Sequence, residues 1–215
     1  MSRESRSGNN RVKRYSRKAL RIPDLGYYVI VTDTKGTERC YFEGLKSQLP
    51  KEKRDRLVIK VVETETVQLV EEAKSALRYD PQYRRPWIVF DRDKVESFDR
   101  IIKEAEQNGI RVGWSNPCFE IWLFAYFGSL PTIDESKNCC SRFGIAYERY
   151  TGCAYDKADK DIYVKIYKSG DEENAISVSK RKMNYYMRNE IRIPSKMCPG
   201  TTVFLLVEEL RMKAK

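Results

Sequence analysis

With 215 residues and 41% apolar content, the chain can bury a core as one domain with appendages, and no run of 18 apolar residues predicts a transmembrane helix. It contains no His, which excludes Ser-His-Asp, Cys-His and HExxH chemistry and leaves a carboxylate, Lys, Tyr, Cys or metal-bound water as general base. The net charge of +10 is concentrated at one end: residues 1–21 carry eight Lys and Arg against Glu4, while the remainder holds 33 basic and 30 acidic residues.

The first 20 residues read as a flexible basic tail rich in Ser, Asn and Gly. No apolar core follows its charges, so it does not read as a secretory signal. Such a tail can gather phosphates through Arg11, Lys13, Arg14, Arg17 and Lys18, or serve only as a solubilising leader. Gly26–Thr32 (GYYVIVT) predicts a strand and Asp33–Gly36 a polar turn. Thr37 is placed to cap a helix running to about Leu49, with Glu38 in its first turn and Pro50 as its stop. Leu57–Glu63 predicts a strand. Thr64–Tyr79 predicts a helix, with Val67, Val70, Ala73 and Leu77 at helical spacing.

Asp80–Pro86 reads as a loop and Trp87–Phe90 as a buried parallel strand. Ser97–Gln107 predicts a helix closed by Asn108-Gly109, and Ile110–Trp114 a further strand. Pro117 opens an apolar helix, FEIWLFAYF, whose Trp122, Phe124 and Phe127 are expected in the core. Beyond it, Asp134–Arg149 and Asp171–Asn189 read as amphipathic helices and Thr201–Lys213 as a closing one. The alternation predicts an α/β fold: a parallel sheet flanked by helices over residues 21–130, with a mostly helical part, residues 131–215, packed on it. The six cysteines, Cys40, Cys118, Cys139, Cys140, Cys153 and Cys198, form no CxxC pair. That argues against structural zinc and for reduced thiols in a cytoplasm.

Ligands of parallel sheets sit beyond the carboxyl ends of the strands. Two acidic clusters fall there, Asp33 with Glu38 and Asp91 with Asp93. On an extended backbone Asp91 and Asp93 point the same way, and a cation relieves their repulsion. A few carboxylates with several waters suit Mg²⁺ or Mn²⁺, with Asp33 as a further ligand. Of Asp33 and Glu38, one can hold the metal and the other can move a proton. The bland readings are helix capping for Glu38 and for one of the Asp pair, and a self-closing turn for Asp33. Glu120, in the first turn of an apolar helix, is costly to bury without a partner and is a candidate additional acid. Lys35 and Lys94 are placed to steady phosphate oxygens.

Four segments in this order, TDTKGTERCYFEGL, WIVFDRDK, SNPCFEIWLFAYF and CPGTTVFLLVEEL, resemble the RloB-like family, a group with a Toprim-type fold. With the basic leader, the resemblance spans about residues 11–212. It implies a metal-dependent nuclease with catalytic Asp33, Glu38, Asp91 and Asp93, acting on DNA or RNA, tRNA included. It also implies an effector role in prokaryotic anti-phage defence beside an ABC-type or AAA-type ATPase. Two departures stand out. The string usually reads E-G-x-x-T-E, and here it is Asp33-Thr34-Lys35-Gly36-Thr37-Glu38, a leading acid one methylene shorter. Tyr126 stands near a usual His.

Two readings follow. In one, the chain is a Mg²⁺- or Mn²⁺-dependent nuclease, cytoplasmic, off the membrane, with nucleic acid and an ATPase as partners and self-association open. In the other, the altered first motif marks a non-catalytic adaptor or sensor in the same shell.

Overall fold

The computed structural model describes residues 27–32, 36–61, 66–77, 84–93 and 95–214. The basic tail, Asp33, Lys35 and Lys94 lie outside the described residues. The order of elements is β1 (Tyr27–Thr32), α1 (Thr37–Ser47), α2 (Lys51–Arg54), β2 (Leu57–Val61), a 3₁₀ turn (Thr66–Gln68), α3 (Leu69–Leu77), β3 (Arg84–Asp91), α4 (Phe98–Gln107), β4 (Arg111–Asn116) and α5 (Glu120–Ala125). There follow α6 (Ser136–Thr151), α7 (Ile162–Ser169), α8 (Glu172–Arg188), a 3₁₀ turn (Pro194–Lys196), β5 (Gly200–Thr201) and α9 (Val203–Ala214).

The sheet runs β2-β1-β3-β4-β5, parallel except for the short antiparallel β5. Alternation along the strands divides the core between two faces. Tyr28, Ile30, Trp87 and Val89 pack with α1, α5, α7 and α9. Val29, Val31, Ile88 and Phe90 pack with α3 and α4. Burying such side chains stabilises by about 1.5–3 kcal/mol each, which is why these runs are apolar on both faces. After β1 the chain crosses to β2 on one side, then returns to β3 on the other. The order therefore reverses between β1 and β3, and in sheets of this kind ligands bind beyond the carboxyl ends of the two strands at such a point.

The opposite edge is closed by an ion cluster. Glu209 of α9 accepts from Tyr28 Oη at 2.5 Å and Arg85 Nη1 at 2.8 Å, and from Arg111 as well. Because the three partners come from β1, β3 and β4, this carboxylate ties α9 across the sheet.

Several expectations need correcting. Thr37 does not cap α1: Gly36 takes that place and Thr37 is the first helical residue, its hydroxyl spent elsewhere. The helix stops at Ser47, and Pro50 opens a further turn, α2, rather than only ending one. The stretch taken as a loop up to Pro86 is strand from Arg84. Proline fits because β3 pairs with β4 only from Trp87 onward, so Pro86 sits where one side of the strand is unpaired. Asp93 is not on extended backbone: β3 ends at Asp91, and Asp93 lies in a turn with φ of 23°. Strand alternation therefore does not align it with Asp91. Thr201 belongs to β5 rather than to the closing helix, and α7 was not anticipated.

Candidate functional site at the carboxyl edge of the sheet

Asp91 closes the buried run Trp87–Phe90 and stands beside Ser115 of β4. Its Oδ2 accepts the Phe119 N–H at 3.3 Å. It thereby satisfies a backbone donor at the start of α5, so the helix it caps follows β4, not β3. The next two residues continue the seam: Arg92 N donates to Ser115 O and Asp93 N to Pro117 O, both at 2.9 Å. Asp93 itself is exposed, in a positive-φ turn that Asp tolerates better than most residues.

Asn116, at the end of β4, is fully buried. Its Nδ2 donates to Pro194 O at 3.2 Å and Ser195 O at 3.3 Å. Two carbonyl neighbours fix which end of the amide faces them. Its Oδ1 is buried with no hydrogen-bond partner among the described residues. A buried acceptor in that state asks for a ligand, water or ion.

Glu38 and Glu120 are both buried, at 6% and 2% exposure. Glu120 Oε1 accepts from Tyr155 Oη at 2.7 Å and faces Lys157 Nζ at 3.3 Å. Burial alone raises its carboxyl. The Lys157 ammonium, with hydrogen bonds from Cys118 and Tyr155, outweighs burial and holds it below the usual carboxylate range. For Lys157 burial opposes the charge, yet the Glu120 carboxylate raises its affinity for the proton. Tyr155 has one proton, and Glu120 takes it. Its 3.0 Å contact with Thr37 Oγ1 therefore has Thr37 as donor. One hydroxyl thus links the start of α1 to the start of α5.

Of the residues expected at the site, Glu38, Asp91, Asp93 and Glu120 all fall on this edge, behind three neighbouring strands. Asp33, Lys35, Lys94 and the tail lie outside the described residues. Tyr155, Lys157 and Cys140 were not anticipated. They come from α6 and the loop after it, and no apolar run in YDKADK points at a strand end. Tyr126, near the position of a usual His, is buried; its hydroxyl lies 2.7 Å from Tyr41 Oη and donates to Glu172 at 3.0 Å. Trp122 is fully buried in the core, as expected, whereas Phe124 and Phe127 are only partly buried at its margin, Phe127 stacking on the exposed Tyr150 with centroids 4.4 Å apart. Asp91, Asp93 and Asn116 Oδ1 are oxygen donors of the kind a hard divalent cation such as Mg²⁺ takes, while among the described residues the convergent set of Cys, Asp, Glu or His donors is Cys118, Glu120 and Cys140.

Fold and site define a doubly wound α/β protein with an acidic carboxyl edge at its topological switch point. Residues 28–210 match the family model described as RloB-like protein. The chain therefore belongs to the RloB-like family. No curated protein and no solved structure matches it. Among the described residues, no helix is long and apolar enough to cross a membrane.

Proposed function

We propose that this protein is a metal-dependent, Toprim-type nuclease that cuts a nucleic-acid backbone. One observation carries the reading: Glu38, Asp91 with Asp93, and Glu120 stand at the carboxyl ends of three adjacent parallel strands, around the point where the strand order reverses. Asp91 and Asp93 would hold Mg²⁺ or Mn²⁺, with Asp33, which follows β1 in the sequence, as a further ligand. When bound, such an ion polarises a phosphate and stabilises the leaving oxygen. Asp33 and Glu38 are the groups available to hold or move a proton.

The neighbourhood suits a polyanion. Arg181, Lys182 and Arg188 of α8, then Arg192, lead to Pro194 and Ser195, which contact Asn116, and Lys196 follows them. The ammonium of Lys182 lies 5.3 Å from the ring of the exposed Tyr185. An aromatic face among cations is the chemistry that holds a strand by its phosphates and bases. The anti-phage setting and the ATPase partner come with the family resemblance, the cytoplasmic location with the cysteine usage, and all three belong to this reading.

The adaptor reading has an observation of its own. One oxygen of Asp91 already serves a backbone N–H, and Glu120 is already matched by Tyr155 and Lys157. One experiment decides: single- and double-stranded DNA and RNA, tRNA included, incubated with Mg²⁺ or Mn²⁺ and wild type or Asp93→Ala. The nuclease reading expects divalent-dependent cutting by wild type that Asp93→Ala loses. Failure to cut any substrate, even with the ATPase partner added, refutes it.

A further inference from the structure

The described residues hold one set of at least three His, Cys, Asp or Glu donor atoms within 4.8 Å of one another: Cys118, Glu120 and Cys140. The chain brings them together from two elements. Cys118 and Glu120 stand in the turn from β4 into α5, and Cys140 stands in the second turn of α6. The Cys118 and Cys140 sulfurs are 3.9 Å apart. A tetrahedral zinc with Zn–S bonds of about 2.3 Å and a Zn–O bond of about 2.1 Å needs sulfurs about 3.8 Å apart and sulfur–oxygen distances of about 3.6 Å. The sulfurs are therefore near that spacing before any ion enters, and the carboxylate oxygen lies within 4.8 Å of both.

We infer that Cys118, Glu120 and Cys140 bind a zinc-type divalent ion, with water in the fourth position, at a place separate from the Asp91–Asp93 pair. Two thiolates and a carboxylate bring three negative charges to a dication. Lys157 Nζ, 3.3 Å from Glu120, supplies the one positive charge left over. Binding forms two Zn–S bonds and one Zn–O bond and releases two thiol protons to solvent. Thiolate ligands select zinc over magnesium. The surroundings have the supporting contacts such sites need: Tyr155 donates to the Glu120 carboxylate at 2.7 Å and is itself held by Thr37. Access is on the side of Cys140, which is half-buried, while Cys118 and Glu120 are almost fully buried. A disulfide is the competing use of two close thiols. It requires no carboxylate, and at 3.9 Å the two sulfurs are not bonded to one another.

The ion would fasten the β4–α5 turn, which holds Asp91 through the Phe119 N–H, to α6. The inference does not rest on the nuclease reading, and its test reads metal, not cutting. The full chain, purified without chelator, is assayed for zinc by elemental analysis. It is then stripped and titrated with Zn²⁺, and with Co²⁺ as a coloured probe. About one zinc per chain and a thiolate-to-cobalt charge-transfer band are expected. Cys140→Ser, at a half-buried position, should weaken Zn²⁺ binding at least about 100-fold, since even an outer-shell partner is worth 10–100-fold, and Tyr155→Phe about 10-fold. Three results overturn the inference. One is wild type that takes up no zinc and gives no charge-transfer band. Another is Cys140→Ser that keeps wild-type affinity. The third is two of the six thiols found joined as a Cys118–Cys140 disulfide in protein kept without reductant.

Discussion

Removing a single oxygen, in Tyr155→Phe, tests whether the link between α1 and α5 stabilises the site. The ring stays, so the core contacts of Phe143 and Tyr147 with it are kept. Two hydrogen bonds go: the 2.7 Å bond to the buried Glu120 carboxylate and the 3.0 Å bond from Thr37. A bond to a charged group is worth about 1.5–3 kcal/mol and a neutral one about 0.5–1.5. Both partners have a second contact. Glu120 keeps Lys157, and Thr37 Oγ1 can turn to Lys157 O at 3.4 Å. The expected loss is therefore about 2–3 kcal/mol, below the simple total. For a chain of this size each kcal/mol moves Tm by about 2–4 °C, so Tm should fall by about 4–12 °C.

The measurement is urea unfolding in the presence of a chelator, which removes any metal contribution, on wild type, Tyr155→Phe, Thr37→Val and the double variant. Since the two hydroxyls share one hydrogen bond, their effects should overlap by about 0.5–1.5 kcal/mol. A Tyr155→Phe loss under about 0.5 kcal/mol, or single effects that add within about 0.3 kcal/mol, would refute the reasoning.

Gly44 lies where α1 meets α7, and a Cβ there would sit 2.5 Å from the Cβ of the buried Tyr163. Gly44→Ala gains about 1 kcal/mol of helix propensity but overpacks at a cost of about 1–3. A net loss of about 0–2 kcal/mol is expected, and thermal unfolding that shows a gain would contradict the close approach. Asp159 accepts from Lys165 at 2.9 Å, from the Asp161 N–H at 2.9 Å and from Tyr147 at 3.2 Å. Burial raises its carboxyl, but these partners together hold it below the usual range. A depressed carboxylate stabilises the fold above its unfolded pKa of about 3.9, and that contribution fades as pH falls below it. Wild type should therefore exceed Asp159→Asn in stability near neutral pH, with the gap closing below about pH 4. Denaturation at a series of pH values checks it, and a gap constant with pH would count against the ion pair.

The parallel sheet was legible because its strands are continuous apolar runs, and helical runs separate them. Asp91, Glu38 and Glu120 were legible for a related reason: each is the first acid after such a run, or nearly so. What escaped is what short-range pattern cannot carry. In Arg84–Pro86, a proline and two arginines hid strand backbone, because pairing on one side only is invisible in sequence. In α7, the run IYVKIY mixes β-branched and aromatic residues that signal strand as readily as helix. β5 has two residues and no pattern at all. Tyr155, Lys157 and Cys140 reach the site from beyond α5, so their partnership with Glu120 exists only once α6 is packed. Cysteine spacing was silent about this pair for the same reason: Cys118 and Cys140 are 22 residues apart, far from any CxxC.

The segment Ser115–Glu120 explains why this edge acts as one unit. Ser115 O accepts from Arg92, and Ser115 Oγ meets Thr201 Oγ1 at 2.9 Å. Asn116 reaches Pro194 and Ser195. Pro117 O accepts from Asp93 N and from Ser136 Oγ. Cys118 meets Cys140, Phe119 N serves Asp91, and Glu120 takes Tyr155 and Lys157. Six consecutive residues thus touch the loop after β3, the start of α6, the loop after α6, the 3₁₀ turn and β5. Residues in one hydrogen-bonded network do not respond independently to substitution. A change at Cys140 or Tyr155 should therefore reach Asp91 through Phe119 without any contact to it. For the same reason, the position of the expected Mg²⁺ ligands depends on whether the Cys118–Glu120–Cys140 cluster is intact.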